Sequence, residues 1–259
     1  IIVEPIQGQI GEPANKKYLE EICKISKKNN ITVIFDEIKC GLGRSGTIFS
    51  FMEYECVPDI VTTSKALGGG KNAISAMIAR RKLFNKAYGS INKSTLHTTT
   101  FFGLGEGCAT AIETLNIISD KNFLDTVKLK SEKTFKALNK LKDKYPKYIK
   151  SIKGKGLFIG IEFDFDNIIS SFTFKKIKIP FIKNIKTVLM GSLIREYLHK
   201  HKVLLHFTNA QPETLVFLPP LIISDEEIDI FIDSTDKVLQ KGLINLFAKF
   251  IYGNIKLGK

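Results

Sequence analysis

The sequence lacks the features that would send a chain into a membrane, out of a cell or onto a metal. No apolar run approaches the roughly 20 residues that a bilayer-spanning helix needs. The opening IIVEPIQGQI has neither the basic stretch nor the cleavage site of a secretory leader. Both absences point to a cytoplasmic protein with no membrane partner. The four cysteines, Cys23, Cys40, Cys56 and Cys108, form no C-x-x-C pair and keep no regular spacing. That excludes a disulfide framework and a zinc site, and no metal is expected. Reduced, mostly buried thiols are the expectation. There are no internal repeats. Positive charge is plentiful, +13 from 39 Lys+Arg against 26 Asp+Glu, but it is spread along the chain without an arginine-rich stripe. Lysines that solvate the surface account for it better than a nucleic-acid partner does.

What is present is ordinary globular material. The chain has 259 residues, 44% hydrophobic and 25% charged, enough for about two domains with real cores. It opens on a short apolar run, IIVEPI, as a fragment that begins inside a strand would. From Asn15 the apolar residues Tyr18, Leu19, Ile22 and Ile25 recur at helical spacing, with Asn15 as cap and Lys27 and Lys28 at the end. ITVIFDE follows as a continuous β-branched run, the mark of a strand covered on both faces. DIVTTS and AISAMIA are two more such runs. Strand, helix, strand, loop and strand in this order predict an α/β layer. GEGCATAIETLNII and the long amphipathic stretch ending at Pro146 read as helices. Beyond them, KGLFIGIEF, VLLHF and ETLVFLPPL read as strands and LMGSLIREYLHK as a helix. A last helix is capped by Ser224, with Glu227 completing a capping box and Gly242 closing it. A boundary near residue 120 divides domain 1–120, part of a larger sheet domain, from a smaller α+β domain, 121–259. The low-complexity segment at about 167–186 reads as a variable insertion, and the amphipathic tail after it all should lie on its own domain.

Ligands of an open α/β sheet sit beyond the carboxyl ends of the strands. Two charged residues fall at such ends: Asp36 after ITVIF and Lys65 after IVTTS. A lysine there can be desolvated and attack a carbonyl to make a Schiff base. A carboxylate there can hold a pyridine nitrogen protonated. These are the two handles that pyridoxal phosphate needs. Each residue alone is weak evidence, since a lysine after a strand is usually a solvated loop residue and an Asp-Glu pair usually starts a helix or a salt bridge. Their conjunction, with Gly68-Gly69-Gly70 behind the lysine, carries more.

IIVEPIQG, VIFDEIKCGLGRSG, PDIVTTSKALGGG and HTTTFFG, in that order, resemble the class III pyridoxal-phosphate-dependent aminotransferases. HTTTF and the ending ETLVFLPPLIISDEEIDIFIDSTDKVLQKG look most like the putrescine-type members, with ornithine and acetylornithine types also similar. The resemblance runs from residue 1 to about 242. It implies the type I fold of these transferases and a cytoplasmic homodimer with a shared active site. The activity implied is transfer of an amino group from an amine donor to a keto acid or aldehyde. By the same resemblance Lys65 would hold the cofactor as a Schiff base and move the substrate proton. Asp36 would pair with the pyridinium nitrogen, Ile38 would pack on the ring, and Thr100 would reach the cofactor phosphate of the neighbouring subunit.

The departures from the family pattern bear on substrate. Lys39 stands where a glutamine usually contacts the phenolic oxygen of the cofactor, and can still donate that bond. Gln9 and Val216 replace a glutamate and the arginine it pairs with. Because that arginine grips an α-carboxylate, the joint loss favours amines or diamines lacking one. Phe102 and Leu104 replace smaller or polar groups. The glycine-rich phosphate loop and the stacking aromatic of the family's N-terminal half have no counterpart in these residues. Two alternatives stand beside the aminotransferase: an aminomutase or lyase on the same fold, and a non-catalytic, dimer-forming homologue.

Overall fold

The structure, a computed structural model, describes residues 1–93, 95–171 and 185–257. Of the insertion expected at about 167–186, residues 172–184 lie outside the described residues. The chain forms two compact units, Ile1–Gly8 with Pro13–Lys128 and Gln9–Glu12 with Leu129–Lys259.

The first unit is built on a four-stranded sheet of β1 (Ile2–Val3), β2 (Ile34–Asp36), β3 (Ile60–Thr63) and β4 (Ala76–Ala79), in that spatial order. β1, β2 and β3 run parallel, with Asp36 opposite Thr62, and β4 returns antiparallel to β3. Between β1 and β2 runs helix α1 (Lys16–Lys28), where the Asn15 side chain accepts from the Lys17 amide at 2.9 Å. Its buried stripe is narrower than the spacing suggests. Leu19 packs with Val33, Phe35 and Cys56, and Ile22 and Cys23 close over them, whereas Tyr18 and Ile25 face outward, both more than half exposed. A second cluster gathers Leu42, Leu67, Ala111 and Ile118 around helix α3 (Gly105–Ser119). α2 (Arg81–Tyr88) follows β4, and α4 (Lys121–Lys144) begins in this unit.

Two expectations are corrected here. AISAMIA is not a buried strand: among the described residues β4 pairs with β3 alone, and Met77 and Ile78 are 45% and 49% exposed. An apolar run reports composition and not how many partners a strand finds. The thiols are not all reduced. Cys23 of α1 and Cys56 of the loop before β3 form a disulfide across a Cα separation of 6.0 Å, within the range such a bond spans. They lie 33 residues apart in sequence, and only the packing of α1 on the sheet brings them together. Cys40 and Cys108 are free.

The second unit has an antiparallel sheet in the order β5 (Ile149–Lys155), β6 (Phe158–Phe163), β8 (Gln211–Phe217), β7 (His206–Thr208). KGLFIGIEF is therefore the turn and second arm of a hairpin. Its first arm, IKSIKGK, is masked in the sequence by lysines on the solvent face. Gly154 sits at the hairpin with φ of 140°, and a Cβ there would come within 2.2 Å of the Phe158 carbonyl oxygen. Helices α5 (Phe165–Ser171), α6 (Ile185–Glu196), α7 (Asp225–Lys241) and α8 (Leu243–Leu257) complete the unit. A π-turn, Tyr197–His201, extends α6. The Phe217 and Phe231 rings stack at 4.2 Å, and the buried Tyr197 hydroxyl donates to Thr235 Oγ1 at 3.0 Å. Ser224 caps α7 as expected, with both arms of the capping box formed. The tail helix α8 buries Leu243, Leu246 and Phe247 and so lies on its own unit. Among the described residues no helix is long and apolar enough to cross a membrane.

Candidate functional site

The carboxyl ends of β1, β2 and β3 each deliver one charged side chain: Glu4, Asp36 and Lys65. Asp36 ends β2 half-buried, and its Oδ1 accepts the Ile38 amide at 3.0 Å. This local bond fixes the carboxylate and leaves Oδ2 for a ligand. Lys65 follows β3 after one residue, Ser64, and is exposed. Its backbone is left-handed, with φ of 49°. That region is costly for a residue with a Cβ, and such residues collect at functional sites.

What holds Lys65 in this conformation is the turn behind it. Residues Lys65–Gly68 make one 3₁₀ turn capped by Gly69 at φ of 57°. A Cβ on Gly69 would lie 2.7 Å from Thr114 Oγ1 of α3. Asn72 Nδ2 donates to Thr110 Oγ1 at 2.7 Å, and Ser64 Oγ donates to the Ile74 carbonyl at 3.1 Å. Gly69 therefore lets the loop lie directly on α3, and α3 sets where the lysine starts.

The segment after Asp36 is anchored by a residue that sequence reasoning passed over. Glu37 is fully buried, and its carboxylate accepts the amides of Ser50 and Phe51 at 3.0 and 2.9 Å and the Cys40 thiol at 3.3 Å. Burial raises its pKa, with the two amides acting in the opposite sense. Burial, together with the neighbouring Glu37 charge, also raises the Cys40 pKa strongly, leaving a poor nucleophile. Two acids in a row at the end of a strand must point to opposite faces; that alternation was the available signal that one of them serves the interior.

Ile38 is half-buried beside Asp36. The Lys39 ammonium donates to the Gly8 carbonyl, and Gly8 in turn donates its amide to Glu4 Oε2 at 2.7 Å. Burial lowers the pKa of Lys39, the Lys65 charge lowers it further, and Glu4 works against both. Glu4 and Gly8 were the other members that the sequence did not single out. Arg44, on the same loop, is pushed down to about 10 by burial. Thr100 lies exposed in the turn ahead of α3. In the second unit, Gln9 is exposed, and Val216 is buried in β8, paired with Gly160 on one side and His206 on the other.

A carboxylate and a primary amine at the ends of neighbouring parallel strands are the donor set for a protonated ring nitrogen and an aldehyde. One further polar group is unspent. The Thr63 hydroxyl, two residues before Lys65, is buried without a hydrogen-bond partner. The residues present fit pyridoxal phosphate.

The family profile for class III aminotransferases matches residues 1–239, and the chain belongs to that family. It is 32% identical over 241 residues to the acetylornithine aminotransferase of Methanocaldococcus jannaschii, covering 92% of this chain and 52% of that protein. With the acetylornithine aminotransferase of Clostridium acetobutylicum it shares 37% identity over 231 residues, 88% of this chain and 51% of the relative. Among solved structures, an (S)-enantioselective omega-transaminase from Thermomicrobium roseum superposes with a TM-score of 0.77 at 25% identity, over 93% of this chain and 50% of that one. The ornithine aminotransferase of Toxoplasma gondii gives 0.76 at 26% identity, over 92% and 50%; a further structure of that enzyme has pyridoxal phosphate at partial occupancy at its active site. These relatives are fold type I transaminases, and the sheet of the first unit is of that kind. The chain spans about half the length of the curated relatives it matches.

Proposed function

We propose that this chain belongs to a pyridoxal-phosphate-dependent aminotransferase, acting as a cytoplasmic homodimer, and that Lys65 carries the reaction. The observation that supports this most is the pairing of Asp36 and Lys65 at the ends of adjacent parallel strands, with Lys65 held in a left-handed conformation by the glycine turn against α3. Bound there, pyridoxal phosphate would supply an electron sink for the carbanion left when a proton leaves the carbon beside the amine. Lys65 Nζ would hold the cofactor and, once the substrate amine had displaced it there, would take and return that proton. Asp36 Oδ2 would keep the ring nitrogen protonated, Ile38 would pack on the ring, and Thr100 would bind the phosphate held by the partner subunit. Lys39 would donate toward the phenolic oxygen, from a position where burial and the Lys65 charge lower its pKa.

For the substrate, the names of the curated relatives favour acylated ornithine. The residues of this chain favour an amine without an α-carboxylate, because the Val216 position is apolar and buried and offers no cation to grip one. Turnover of putrescine and of acetylornithine with a keto acid acceptor tests both parts. We expect turnover that disappears in Lys65→Ala, with putrescine preferred. The double variant Gln9→Glu/Val216→Arg is expected to shift preference toward the α-amino acid by about tenfold or more, the worth of one charge-assisted bond. Equal use of both donors that the double variant leaves unchanged refutes the substrate assignment.

A further inference from the structure

The first unit carries a second cleft that the aminotransferase reading does not use. It lies at the opposite end of the sheet, where Thr32 and Val33 lead into β2, Val57 to Asp59 lead into β3, and Arg80 follows the antiparallel β4. Its volume is about 990 Å³, at the upper end of the range for small-molecule sites. The walls come from α1 and α2.

The charges in the cleft are unbalanced in a specific way. Asp59 is already spent: Oδ2 accepts the Val33 amide at 2.9 Å, and Oδ1 pairs with Arg80 Nε at 3.1 Å. Glu20 is spent on Lys16 and on the Glu55 amide, and the Glu55 carboxylate, which also lines the cleft, offsets part of the positive charge, so five cations stand against three carboxylates. Lys24 pairs with Glu21. Lys27 of α1 and Lys82 and Lys86 of α2 line the same cleft, and among the described residues no carboxylate pairs with any of the three. Three ammonium groups lining one cleft repel one another, and an anion held between them would offset that repulsion. A second, separate observation comes from the floor. Ser26, 1% exposed, lines the cleft, and its hydroxyl is buried with no hydrogen-bond partner. An orphaned hydroxyl of this kind is costly, and a bound acceptor would relieve it.

We infer that this cleft binds a small multivalent oxyanion, held by Lys27, Lys82 and Lys86 and reached by the Ser26 hydroxyl. Apolar wall residues, Val33, Val57 and Leu83 among them, leave room for an organic body. Lysines act as point charges and do not choose between phosphate and carboxylate oxygens as an arginine fork would, and the one arginine here is committed to Asp59.

Isothermal titration of the 259-residue chain with pyrophosphate and, separately, citrate at constant low ionic strength tests this. We expect saturable binding of one anion per chain; the tighter of the two assigns the ligand to the phosphate or the polycarboxylate type. Lys27→Ala/Lys82→Ala/Lys86→Ala should weaken binding by about tenfold or more, the sum of three modest ion pairs. Removing three exposed lysines elsewhere, Lys136→Ala/Lys140→Ala/Lys147→Ala, lowers the net charge equally and should leave binding unchanged. Ser26→Ala should weaken binding without lowering the thermal midpoint of the unliganded chain, since the hydroxyl has no partner to lose. Equal weakening in the two triple variants, or no saturable binding of either anion, overturns the proposal.

Discussion

Lys65 takes its place because the residues behind it can adopt what the loop requires. Gly69 must have φ of 57° and must let Thr114 approach, so Gly69→Ala meets both a strained backbone and a 2.7 Å contact. We expect it to cost about 1–3 kcal/mol, read as a lower denaturation midpoint at unchanged slope; a loss under 0.5 kcal/mol would show that the loop adapts. Glu37→Ala strands two buried amides and should cost about 2 kcal/mol, measured in the same way. Lys39 offers a test by pH. Burial holds its folded pKa below the ordinary lysine value of 10.5, so the folded chain binds this proton less tightly than the unfolded one. Stability from this group is therefore smallest below the folded pKa and rises as pH climbs from there toward 10.5. The stability difference between wild type and Lys39→Gln should grow in favour of wild type across that window, and a flat difference would contradict the coupling. At this scale the sequence was legible where charge met a strand end, as at Asp36 and Lys65. It was not legible for Glu37 or for the Glu4–Gly8–Lys39 chain of bonds, because which face an acid serves, and which carbonyl a lysine finds, depend on the neighbouring strand.

Elements were readable wherever a local device defines them. Asn15 and Ser224 cap the helices expected of them, and Ser224→Ala should cost about 1 kcal/mol, because it removes the hydroxyl that accepts the Glu227 amide at 3.1 Å while the backbone amide of residue 224 can still donate to the Glu227 carboxylate. A calorimetric melt of that variant checks the value, and an unchanged melt would mean α7 is held by its buried Phe231 and Val238 alone. Elements were misread where the deciding partner is distant. β4 reads as interior because it is apolar, yet among the described residues it pairs with β3 alone. β5 was passed over because its lysines face solvent, and its strand character comes from pairing with β6. α1 shows both cases: its span was legible from caps and spacing, but which side of it is buried is set by Val33, Phe35 and Cys56.

For the molecule as a whole, pairing at long range is what sequence spacing does not report, and the Cys23–Cys56 disulfide is the plainest instance. A thiol count on the unfolded, unreduced chain should find only Cys40 and Cys108 reactive; four reactive thiols would remove the cross-link. As proposed, Asp36 and Lys65 of the parallel-sheet unit form one set of residues, for cofactor chemistry, and Val216 of the antiparallel unit bears on the choice of substrate. The central claim concerns the first set, and one measurement tests it most directly. The protein is mixed with pyridoxal phosphate, reduced with borohydride and digested, and the pyridoxyl mass is located among the peptides. The account predicts a single label on the peptide containing Lys65, absent in Lys65→Ala. Label on Lys39 instead, or spread evenly over surface lysines, would contradict it.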